Sequence, residues 1–151
     1  GFRRSELVSI EYEDIEFVNE GVKILVQRSK TDQTGLGMTK AIPYFQNIIY
    51  CPVTSLRDWI NHSKISDGKI FKISDKTVAL TIQKYALLAG LDKTKYAGHS
   101  LRSGFATSTA ETGADERSIM AMTGHKTTQM VRRYIQEANL FKNNALNKIK
   151  I

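Results

Sequence analysis

The sequence predicts an α+β domain, mostly helical, with a small three-stranded antiparallel sheet near the N-terminus. Short β-branched and aromatic runs broken by Asn and Gly are confined to the first third of the chain. Apolar residues at helical spacing, set between capping residues and glycines, fill the remainder. No internal repeat or proline-rich linker divides the sequence, and 151 residues suit one domain with its own core.

Taken in order, Ile15 to Val18 and Val22 to Gln27 read as a hairpin, with Asn19-Glu20-Gly21 as the turn. A glycine-rich loop follows (Asp32-Gln33-Thr34-Gly35-Leu36-Gly37), and Lys40 to Pro43 reads as a third strand. Pro52 suits a first helical position, with Val53, Leu56 and Ile60 as the apolar stripe and His62 complementing the dipole near the helix end. Asp75 is placed to cap a helix carrying Val78, Ile82, Tyr85 and Ala89 and ending at Gly90. Further helices are expected from about His99 to Thr112, from Asp115 to Gly124, and from Thr127 or Thr128 onward. The last carries Val131, Tyr134, Ile135 and Ala138 on one stripe. Phe141, Ala145, Leu146 and Ile149 form a second apolar stripe beyond it.

The formal charge is +7, from 22 basic and 15 acidic residues, which favours a polyanionic partner, nucleic acid first. A single cysteine, Cys51, excludes a disulfide within the chain and fits a reducing compartment. No signal peptide or membrane-length apolar run is present in the sequence. Three histidines (His62, His99, His125) and one cysteine make no zinc spacing. Glu11, Glu13, Asp14 and Glu16 are consecutive rather than convergent, so a solvated acidic strand is the better reading than a Mg²⁺ site. Gly35-Leu36-Gly37 lacks the spacing and Lys-Ser/Thr ending of a nucleotide-binding loop.

Several positions carry chemistry that a plain packing account leaves open. In His99-Ser100-Leu101-Arg102, a helical step of about 100° puts the imidazole and guanidinium within roughly 60° of each other. Leu101 and Phe105 then point toward a core, with small Ala106 on the polar side. Such a face can grip two phosphate oxygens and move a proton at neutral pH. Alone, it also reads as a solvated face near a helix start. Gly124-His125 reads as a left-handed cap followed by a fixed imidazole, or merely as a capping histidine. Tyr134 reads by its stripe as a core tyrosine, though its hydroxyl can still reach a cleft mouth. Lys30, where the hairpin strand enters the glycine-rich loop, is either solvent-exposed or able to swing into a groove.

Together and in this order, these elements resemble the catalytic domain of tyrosine recombinases, the phage integrase family. The family's G-x-R-x-S-E-L block resembles Gly1-Phe2-Arg3-Arg4-Ser5-Glu6-Leu7, and its hairpin lysine resembles Lys30 in Arg28-Ser29-Lys30-Thr31. Its H-x-x-R box resembles His99 to Arg102, its Gly-His element Gly124-His125, and its tyrosine Tyr134, nine residues on. Thr123 departs from the apolar residue usual before Gly-His, a change expected to touch packing rather than chemistry.

The resemblance implies a site-specific DNA recombinase or integrase on the tyrosine recombinase catalytic fold, working through a covalent 3′-phosphotyrosine without metal, cofactor or ATP. It implies that Arg3 and Arg102 hold the non-bridging phosphate oxygens, Tyr134 attacks, His99 is the acid/base group, His125 donates to the phosphate, and Lys30 protonates the departing 5′ oxygen. Glu6 is expected to orient an arginine. The partner implied is double-stranded DNA, with a homotetramer on DNA and a monomer when free. The C-terminal stripe folds back on its own core or docks on a neighbouring protomer. No membrane is involved, and the expected location is the cytoplasm, at the nucleoid when bound. Residues 1–151 are expected to be the C-terminal catalytic domain of a longer protein, lacking an N-terminal core-binding domain and lead-in helices. The alternatives are a catalytically silent DNA-binding module and a type IB topoisomerase-like relaxing activity.

Overall fold

The computed structural model describes residues 1–27, 37–142 and 145–149. The chain falls into two compact units, one of Arg4–Val78 and one of Gly1–Arg3 with Ala79–Ile151.

In the first unit, the short helix α1 (Arg4–Ser9) precedes a sheet of three antiparallel strands in the order β1 (Ile15–Val18), β2 (Gly21–Val26), β3 (Met38–Pro43). Strand β2 alternates in burial, with Val22, Ile24 and Val26 inside and Lys23 and Leu25 outside, as a period of two requires. The hairpin is one residue tighter than expected, because Gly21 already pairs with Val18 and leaves Asn19-Glu20 as the loop. On its other side Gly21 faces Pro43, and a Cβ there would lie 2.0 Å from the Ile42 carbonyl oxygen. Only glycine permits that approach. Helix α2 (Pro52–Ser63) starts at its proline, buries Val53 and Ile60, and carries His62 in its last turn. The glycine-rich loop and Lys30 lie outside the described residues up to Gly37.

The acidic group of this unit is structural rather than simply solvated. Asp14 is buried, and its carboxylate accepts from Glu11 N at 3.0 Å and Gln27 Nε2 at 2.6 Å. Glu13 accepts from the Gly68 backbone, and Glu16 pairs with Lys23 at 3.2 Å. Glu6, expected to orient an arginine, receives Lys40 Nζ at 3.2 Å, with both side chains almost fully buried. Among the described residues, no group of three His, Cys, Asp or Glu side chains is arranged to hold a metal.

The second unit is helical: most of α3 (Asp75–Leu88), then α4 (Ser100–Glu111), α5 (Glu116–Thr123) and α6 (Thr128–Asn139). Asp115 caps α5 by accepting from Arg117 N and Ser118 N, and Gly124 ends it in the left-handed region at φ 64°. The core joins Ala106 and Ala110 of α4, Ile119 of α5 and Val131 of α6, with Tyr134 and Ile135 packed against it. Among the described residues, no helix is long and apolar enough to cross a membrane.

Two orientations differ from expectation. On α4 the stripe that faces inward is Arg102, Ala106 and Ala110, spaced four apart, whereas Leu101 is 68% exposed. The small alanines let α6 approach closely enough to bury Val131 completely, so the arginine rides on the packed face instead of a free polar one. On α3 the buried residue is Ala86, and Tyr85 and Ala89 of the expected stripe are exposed. They line an apolar groove with Ile82, Leu91, Tyr96 and Leu101. The α3 cap is also shifted by one residue, since Ser74 Oγ accepts from Thr77 N at 3.1 Å.

Candidate active site

A cleft of about 260 Å³ in the helical unit is lined by Arg3, His99, Arg102, Ser103, His125, Met130 and Tyr134. Five of the six residues singled out from the sequence therefore meet there, and the sixth, Lys30, lies outside the described residues. Each is delivered by a different local device. His99 sits at the N-cap position of α4, and Arg102 follows one turn later. Gly124, in its left-handed conformation, turns the chain out of α5 so that His125 leaves in a new direction. Tyr134 projects from the second turn of α6, its ring against the core cluster.

Backbone carbonyls hold both guanidiniums. Arg102 is 6% exposed and Nη1 donates to the Gly1 carbonyl at 2.6 Å; Arg3 Nη2 donates to the Gly124 carbonyl at 3.3 Å. Gly1 is itself closely surrounded, since a Cβ there would lie 3.1 Å from the Met122 carbonyl oxygen and 3.3 Å from Phe105. The start of the chain is thereby seated between α4 and α5, which brings Arg3 to residues about a hundred positions away. Two fixed forks of N–H donors beside one cleft suit a bound oxyanion, because a guanidinium matches two oxygens at once.

His125 is half-buried, and its ring lies 6.2 Å from that of Tyr134, inclined at 28°. Its pKa is held below the ordinary 6.5, first by burial and then by the charges of Arg102 and Arg3. Both effects bias the imidazole toward neutrality. Thr123, expected to touch packing rather than chemistry, also contacts a histidine that lines the cleft: its fully buried Oγ1 lies 2.8 Å from His125 Nδ1.

Sequence reasoning missed Ser103, Met130 and the reach of Thr123. Ser103 stands four residues after His99, and Met130 four before Tyr134, so helical spacing alone places each beside a residue already singled out. Arg132 and Arg133, adjacent to the tyrosine, turn outward and pair with Glu116 at 2.8 Å and Glu137 at 3.2 Å.

A fold of this order, with two guanidiniums, two imidazoles and a phenol around one cleft, defines the catalytic-domain class of the tyrosine recombinases. A sequence model of the phage integrase family matches residues 1–140, and the chain belongs to that family. It is 48% identical over 160 residues to an integrase/recombinase xerD homolog of Selenomonas ruminantium, covering 98% of this chain and 47% of the relative. A tyrosine recombinase of Pseudothermotoga lettingae is 29% identical over 149 residues, covering 99% of this chain and 50% of the relative. The chain spans about half the length of these curated relatives. In fold it is similar to the crystal structure of XerA recombinase, with a TM-score of 0.71 at 20% identity, covering 99% of this chain and 53% of that one. XerH recombinase bound to a palindromic difH substrate, in a post-cleavage complex, gives 0.70 at 18% identity, covering 94% and 42%.

Proposed function

We propose that this chain is the catalytic part of a site-specific DNA recombinase that cuts and rejoins strands through a 3′-phosphotyrosine, with no metal or ATP. The single observation that carries the reading is the meeting of Arg3, His99, Arg102, His125 and Tyr134 at one cleft. A phosphodiester gains negative charge on its oxygens as it becomes five-coordinate, and preorganised cations lower that barrier. Arg3 and Arg102 hold the non-bridging oxygens, and two fixed guanidiniums supply the charge a metal would otherwise bring. Tyr134 Oη attacks phosphorus in line, and the bond to the 5′ oxygen breaks. His99, exposed at the cleft mouth, takes the phenol proton, because a phenol with its proton in place is a weak nucleophile. His125 donates to the phosphate. Lys30 gives a proton to the departing 5′ oxygen. The energy of the phosphodiester is kept in the tyrosine ester, so religation to another strand needs no further energy source.

Double-stranded DNA is the substrate. The +7 charge favours it, and the XerH proteins of similar fold are captured with difH DNA. Four copies assemble on two duplexes, and the free chain is a monomer. Phe141, Leu146 and Ile149 are all exposed, which supports docking of the C-terminal stripe on a neighbouring protomer in that assembly. The protein works in the cytoplasm, at the nucleoid.

The test is a nicked suicide duplex carrying the target site, incubated with the intact protein. A covalent protein–DNA adduct is expected from the parent and none from Tyr134→Phe. Adduct of equal yield from the variant would reassign the nucleophile, and no adduct from either would favour a silent binding module.

A further inference from the structure

We propose that Thr123 fixes the tautomer of His125, so that this imidazole donates to a phosphodiester only when doubly protonated, and occupying the cleft therefore takes up a proton. The identity of the occupant rests on the function proposed above; the hydrogen-bond geometry that sets the tautomer does not.

Thr123 Oγ1 lies 2.7 Å from the Ile119 carbonyl oxygen and 2.8 Å from His125 Nδ1. A carbonyl oxygen has no hydrogen to give, and a hydroxyl has one. At 2.7 Å the hydroxyl hydrogen must lie between Oγ1 and Ile119 O, since otherwise two lone pairs would face each other inside a fully buried site. With that hydrogen committed, Oγ1 can only accept from Nδ1. Nδ1 therefore carries the ring hydrogen, and in the neutral imidazole Nε2 is a bare acceptor.

Nδ1 is turned to the buried threonine, so Nε2 is the nitrogen left to the cleft that His125 lines. Phosphate oxygens are acceptors as well, and a bare Nε2 repels them. One added proton turns that contact into a charge-assisted hydrogen bond. Among the described residues, the charged and titratable groups that line the cleft with His125 are Arg3 from the chain start, His99 and Arg102 from α4, and Tyr134 from α6; the residue that α5 presents to it, Thr123, is uncharged. Burial and the two arginines disfavour the imidazolium. A phosphodiester brings a negative charge among them and reverses the balance. Thr123 thus acts as a positioning residue that couples binding to protonation.

The tautomer is read directly by ¹⁵N-histidine NMR of the intact protein at about pH 8, with the His125 signals assigned by their loss in His125→Gln. The Nδ1–H pattern is expected, and an Nε2–H pattern in the parent protein overturns the proposal. The coupling is read with dimethyl phosphate, a monoanion that does not titrate in this range, followed through the His125 resonances. Its dissociation constant should rise about tenfold per pH unit above the free pKa of His125, as uptake of one proton requires. Thr123→Ser keeps the hydroxyl and should keep that slope. Thr123→Val, close in shape, frees the ring to carry its hydrogen on Nε2 and should flatten the dependence to less than about threefold per unit. A folded Thr123→Val protein with the parent slope overturns the coupling. An Nδ1–H tautomer with no response to dimethyl phosphate at any pH overturns the phosphate half, and with it the reading of the cleft, while leaving the tautomer standing.

Discussion

Two lysines ten residues apart, Lys30 and Lys40, are predicted to fail in different ways when replaced. Lys40 Nζ lies 3.2 Å from Glu6 Oε2, with side-chain exposures of 0% and 1%. At an effective dielectric of about 20, charges 3.2 Å apart attract by about 5 kcal/mol. Several kcal/mol of desolvation on each ion offsets that attraction, so the intact pair is no measure of net stability. Lys40→Met removes that attraction from a buried ion pair, and the expected loss is about 3–5 kcal/mol. With a urea slope of about 2 kcal/mol per molar, the unfolding midpoint should fall by about 2 M. The deficit should shrink at about pH 5, because a buried carboxyl that has lost an attracting cation takes up a proton more readily. The double change Glu6→Leu with Lys40→Met should recover most of the loss. Lys30→Ala is expected to slow strand cleavage, the role the resemblance gives it. A loss below about 1 kcal/mol for Lys40→Met, or the same loss at pH 5 and pH 8, would refute the reasoning.

Arg102→Lys keeps a charge but loses the two-pronged fork, and cleavage of the suicide duplex should slow by about 10²–10³-fold in single-turnover assays. The lowered pKa of His125 means that the unfolded chain takes its proton first as pH falls below 6.5. Stability should therefore rise with pH through the window between the folded pKa and 6.5, and urea midpoints of His125→Gln should lack that component. Ala106 is fully buried where α4 meets α6, so Ala106→Leu should destabilise by about 1–3 kcal/mol in the same urea assay and lower adduct yield by shifting α6.

Local chemistry makes most of the helical unit legible in the sequence. Asp115 and Gly124 bracket α5 as capping rules require, and Thr127 stands at the N-cap of α6. Pro52 opens α2 and the hairpin strands β1 and β2 fall where β-branched residues and Asn-Glu-Gly place them. Such features depend on a few neighbouring residues, and the sequence states those neighbours outright. Helical periodicity pairs His99 with Arg102 and a glycine cap precedes His125, but each of these alone also fits a plain structural role, and only the resemblance of the ordered set to a family singled them out together.

Which face of α4 turns inward was not legible. Periodicity gives the angle between Arg102 and Leu101 but not the direction of the core, and the apolar residue was the natural candidate for burial. The packing of α6 reversed it, because Ala106 and Ala110 admit a close neighbour and Leu101 does not. The reach of Thr123 to His125 has the same origin, since a hydroxyl's second partner depends on where the chain goes after Gly124. So too does the burial of Glu6 with Lys40, thirty-four residues apart. Most element positions and caps follow from short-range sterics and spacing, and were in the chain as written, while the set of candidate site residues came from the resemblance to a family. Which groups meet, which are buried, and which nitrogen of an imidazole holds its hydrogen are long-range outcomes, decided only when the elements packed.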